Sequence, residues 1–139
     1  MLTVLRWIAL VPACLLAWVI AFLVGLRVLG VVEGFCPPEL VVSGMCGASW
    51  YPAAERATIC FGVGLSAFLV VLASAITAPS QKVAFAQLAL AVGTIIAAVM
   101  AFSGDLYWEL GAAVLSGTAA LFMVKAWLHR QQTRVGDLA

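Results

Sequence analysis

Asparagine does not occur in this sequence of 139 residues, histidine occurs once, and only 9% of the residues are charged. Without asparagine there is no N-glycosylation acceptor. With His129 as the single histidine, two-histidine haem ligation within the chain is impossible and a zinc cluster is short of ligands. The four cysteines include no C-x-x-C pair, the spacing in which one thiol lowers the pKa of the other. Seven basic residues stand against six acidic ones, a balance that points to neither nucleic acid nor a strongly acidic substrate. Gly62-Val63-Gly64-Leu65-Ser66-Ala67 fits G-x-G-x-x-A but sits in an apolar run with no strand before it, so nucleotide binding is rejected. No cofactor is expected.

What fills the chain is apolar: 65% of the residues, gathered in four stretches almost free of charge. A helix rising 1.5 Å per residue needs about 20 residues to cross a hydrocarbon core of about 30 Å. The four stretches, about 7–29, 57–78, 83–102 and 106–128, meet that requirement and make residues 1–139 a single four-span domain. A cleaved signal peptide is not expected, because the first apolar run continues past Cys14 to Leu26, longer than a signal h-region. Residues 30–56 read as a Gly- and Pro-rich loop. Pro79 ends the second span, Ser80-Gln81-Lys82 leaves room for a tight reversal, and residues 129–139 read as a loose polar tail.

Three patterns give the orientation. Arg6, Lys82, Lys125, Arg130 and Arg134 flank one set of span ends, while Arg56 and Arg27 flank the other, so the first set is expected in the cytoplasm. Glu33, Glu39, Glu55, Asp105 and Glu109 fall on the far side, with only Asp137 inside. Trp7 and Trp127 mark one boundary, and Trp50-Tyr51 and Tyr107-Trp108 the other, the level amphipathic rings prefer. The expected fold is therefore an all-α membrane protein, a compact antiparallel four-helix transmembrane bundle with both termini cytoplasmic, in a bacterial cytoplasmic membrane.

Every span carries small residues four apart, which lie along one side of a helix. The rows are Ala9, Ala13, Ala17, Ala21 and Gly25; Gly62, Ser66, Ser74 and Ala78, interrupted by Val70; Ala89, Gly93, Ala97 and Ala101; and Ala112, Ser116 and Ala120. Close backbone approach along such rows holds helices together in lipid, where the hydrophobic effect between them is absent.

Cys36 and Cys46 share the outer loop, with enough chain between them to turn back and form a disulfide. A structural bond is the expectation; a redox-active pair, as in four-span thiol oxidases, is the alternative. Cys14 and Cys60 are assigned no role. The outer carboxylates offer a hard cation oxygen ligands, yet Asp105 and Glu109 also suit a helix N-terminus. Arg27 is within reach of Glu33 or Glu109. No Asp, Glu, Lys or Arg occupies the middle of a span, where transporters usually keep one. Ser66, Ser74, Gln87, Thr94 and Thr118 are expected to bond a neighbouring helix or their own backbone.

These features favour a non-catalytic accessory, assembly or scaffold subunit whose partner is another membrane protein or a second copy. Trp50, Tyr51, Trp108 and Glu109 are the candidate contacts. A small oligomeric transporter or channel comes second, and a membrane enzyme using outer thiols or carboxylates third.

Overall fold

The computed structural model describes residues 2–104 and 106–136. Four helices dominate: α1 (Leu2–Gly34), α2 (Tyr51–Thr77), α3 (Lys82–Gly104) and α4 (Tyr107–Gly136). Each is long and apolar enough to cross a membrane. Between α1 and α2 lie a short 3₁₀ turn, Pro38–Leu40, and the two-residue strands β1 (Val41–Val42) and β2 (Met45–Cys46).

The helices outlast the apolar stretches. Gly30 does not end α1, since one glycine costs a helix only about 1 kcal/mol. The firm stop is Pro37-Pro38, and α1 closes before it with tight turn bonds from the Phe35 and Cys36 amides to the Val32 and Glu33 carbonyls. At the other side of the loop, α2 begins at Tyr51 with Pro52 in its first turn, where the missing N–H is no loss. The stretch expected to be a loose tail is helical through Gly136. Asp105, read as a cap, and Asp137 lie outside the described residues.

Side-chain pairs set the direction of each helix. Tyr51 meets Glu33 and Gly62 meets Gly25, so α1 and α2 run antiparallel. Gly117 of α4 meets Leu90 of α3, and Lys82 lies over the Trp127 ring, so α3 and α4 do likewise. Trp7 packs edge-to-face on Phe85 at the end shared by Lys82 and Trp127. The described starts and finishes of the chain therefore lie together, with the α1–α2 loop and the α3–α4 turn opposite.

The arrangement differs from an evenly packed bundle. Helices α2, α3 and α4 share one core of Val71, Ala75, Ala86, Ala120 and Val124, ringed by Phe68, Leu72, Leu90, Leu121 and Leu128. Among the described side chains none of α1 belongs to it. Helix α1 packs on the other side of α2, along Ala13, Ala17, Ala21 and Gly25, with Ala21 fully buried and Ala9 exposed. Helix α2 is the hub because its two glycines face opposite ways: two residues turn a helix by about 200°. A Cβ on Gly62 would stand 3.7 Å from the Gly25 Cα, and one on Gly64 would stand 3.5 Å from the Ser116 Oγ and 3.6 Å from the Ala112 carbonyl.

The row expected on α3 is only partly an interface. A Cβ on Gly93 would meet nothing within 4 Å, while Ala86 and Ala101 are buried and Leu90 reaches over Gly117. The close approach there is made by a glycine of α4 and a large side chain of α3.

Candidate functional site

The loop end carries the residues singled out in the sequence. Its order begins with turn chemistry: Ser43 and Gly44 both have positive φ, 52° and 83°, which lets the chain reverse in two residues. That reversal pairs Val41 with Cys46 and Val42 with Met45. The Gly47 amide then donates to the Leu40 carbonyl at 2.8 Å, and a Cβ on Gly47 would crowd that oxygen at 3.1 Å. Strands this short are marginal by themselves. The Cys36–Cys46 disulfide, with its Cα atoms 5.9 Å apart, ties the hairpin to the end of α1.

The pinned loop shows apolar side chains outward. Phe35 is 73% exposed, Val42 68% and Met45 71%, with Glu39 exposed among them. Only Ala48 of the loop is buried. Trp50 stacks edge-on against Tyr51, and the Tyr51 hydroxyl donates to Glu33 Oε1 at 3.3 Å, fastening the start of α2 to the end of α1. Trp108 is 70% exposed on the first turn of α4, and its neighbour Tyr107 packs against Phe102. Trp50 and Tyr51 thus form one aromatic pair and Phe102 and Tyr107 another. Glu109 is half-buried in the first turn of α4, where the helix dipole favours a carboxylate.

Sequence reasoning did not find the hairpin or its apolar tip. The signal was Ser43-Gly44 between two pairs of apolar residues. Of the carboxylates within reach of Arg27, Glu33 instead accepts from the Tyr51 hydroxyl.

The hydroxyl groups of the spans are satisfied within their own helices. Thr58, Ser74, Thr94, Ser116 and Thr118 each donate to a carbonyl three or four residues back in their own helix. Among the described residues no buried side-chain nitrogen or oxygen lacks a partner, and no three metal-ligating side chains converge. At the opposite end an open hollow is lined by Ser80, Gln81, Lys82, Gln87 and Leu128. Compared with known proteins, the chain matches no family model, no curated protein and no solved structure, so its function has to be read from this geometry.

Proposed function

We propose that this chain is an integral membrane protein of a bacterial cytoplasmic membrane, with both termini in the cytoplasm, acting as a non-catalytic accessory or scaffold subunit. The observation that carries the reading is the disulfide-pinned hairpin, whose apolar side chains Phe35, Val42 and Met45 are held in the open. Ordered apolar surface without cover is the mark of an interaction site. Trp50, Tyr51, Trp108 and Glu109 extend the contact, the aromatic residues supplying area and the carboxylate supplying direction. The span hydroxyls bond their own helices, which favours this reading over a transport pathway.

Orientation is tested by reporter fusions. Those after Pro38 and Ser103 read outside and those after Ser80 and Asp137 inside; an outside signal at Ser80 contradicts the topology. The functional reading is tested by reconstituting the purified chain alone in liposomes. It moves no ion or small solute above the rate of empty vesicles, and flux or substrate turnover by the chain alone refutes the accessory role.

A further inference from the structure

The end of the bundle away from the hairpin forms a step. Helix α2 stops at Thr77, the chain reverses through Pro79 and Gln81, the latter at a φ of 49°, and α3 starts at Lys82, while α4 runs on past Trp127 to Gly136. Between the turn, the start of α3 and Leu128 of α4 lies the open hollow of about 600 Å³.

Two polar groups line this hollow at different depths. Lys82 is half-buried, with its Nζ 5.1 Å from the centre of the Trp127 ring. An ammonium held over a ring face still has N–H donors for an oxygen acceptor. Gln87 lies five residues further into the span, about 7.5 Å deeper, and its side chain is exposed. That offset matches the polar layer of a membrane: a bilayer of about 40 to 45 Å with a hydrocarbon core of about 30 Å leaves about 5 to 7.5 Å on each side. With Lys82 at the level of lipid phosphate, Gln87 reaches the edge of the hydrocarbon, where the ester carbonyls of a phospholipid lie. An amide at that level gains from an acceptor, because leaving water without one is costly. The field at this end favours an anion. Its described residues include Lys82, Lys125 and Arg130 and no carboxylate, while Glu33, Glu39, Glu55 and Glu109 stand at the loop end.

We propose that this hollow binds one anionic phospholipid, with Lys82 donating to its phosphate, Gln87 donating to an ester carbonyl, and Val83 and Leu128 against its acyl chains. The site requires that the chain spans a membrane and is independent of the accessory role.

Native mass spectrometry of the full chain in mild detergent tests it, with titration by phosphatidylglycerol or by phosphatidylcholine of the same acyl chains. The chain holds one phosphatidylglycerol about five-fold more tightly than phosphatidylcholine, the worth of one lysine at an anionic membrane surface. Lys82→Gln removes that preference and Lys82→Arg keeps it, whereas Lys125→Gln, which takes an exposed cation from outside the hollow, leaves it unchanged. Gln87→Leu weakens both lipids alike, and diether phosphatidylglycerol, which lacks the carbonyls, binds native chain and Gln87→Leu equally. All these variants retain the Cys36–Cys46 disulfide, which lies at the other end of the bundle. Equal affinity for the two ester lipids overturns the proposal. So does a loss in Lys125→Gln as large as in Lys82→Gln, which would mean a general basic surface, or displacement of the lipid by soluble glycerol phosphate, which would make the ligand a free phosphate. Failure of the topology would appear instead in the reporter fusions, which do not register lipid affinity.

Discussion

Replacing Gly62 by leucine forces α1 away from α2 and lowers the stability of the protein by about 1 to 3 kcal/mol, the range for overfilling a close contact. A Cβ on Gly62 would already stand in van der Waals contact with the Gly25 Cα, 3.7 Å away, so larger side chains press towards α1. The obstacle is backbone, which cannot give way as the end of a flexible side chain would. Helix α1 has no place in the shared core, so this one seam is most of what holds it to the other helices. Gly93→Leu is the matched control: it adds the same atoms where a Cβ meets nothing within 4 Å. Helix propensity alone then makes Gly93→Leu neutral or slightly stabilising. Thermal unfolding in mild detergent separates the two. Equal midpoints for both variants would show that the α1–α2 seam is not a close one.

Removing both loop cysteines has the second large effect, confined to the loop. Closing about ten residues stabilises by about 2 to 3 kcal/mol, mostly by limiting the conformations open to the unfolded loop. Cys36→Ser with Cys46→Ser therefore frees the hairpin, while α1 to α4 keep their packing, which involves neither residue. Limited proteolysis from the loop side cuts the variant within 37–45 and spares the native chain under the same conditions. Alkylation with and without reductant confirms the bond in the native protein. Free thiols at both positions in protein taken from its own membrane, or equal cleavage of the two forms, would remove the disulfide from the account.

Much of this fold was legible because lipid imposes simple rules. A long uncharged run must satisfy its backbone internally, so it becomes a helix, and Pro79 was legible as the stop of the second span, whereas Pro12 is carried inside α1. The disulfide was legible because two cysteines share one short loop. The helix ends were not, since Glu55 and Arg56 end an apolar run without ending a helix. Nor was the pairing of helices, because every span offers small residues and spacing alone does not say which rows meet. The Gly62-Val63-Gly64 sequence held the missing information. Two glycines on opposite faces of one helix allow two close neighbours, and α2 accordingly sits between α1 and α4. Gly117 escaped notice because its partner, Leu90, is not a small residue. At the loop end the sequence pointed to the loop 35–51 with Trp108 and Glu109 beside it, and the structure shows that Phe35, Val42 and Met45 are the most exposed apolar side chains of that loop.

The central claim is that this exposed, disulfide-held surface engages another protein, and affinity isolation from the native membrane in mild detergent tests it most directly. Native chain, the Cys36→Ser/Cys46→Ser variant and Trp50→Ala are isolated in parallel from equal amounts of membrane-inserted protein, and the accompanying polypeptides are quantified by mass spectrometry. The native chain brings one further membrane protein in fixed ratio, and each loop variant brings less than about a tenth as much, the loss expected when an aromatic anchor or its support is removed. Recovery of the native protein by itself, or of the same companion in undiminished amount with both variants, would contradict the account.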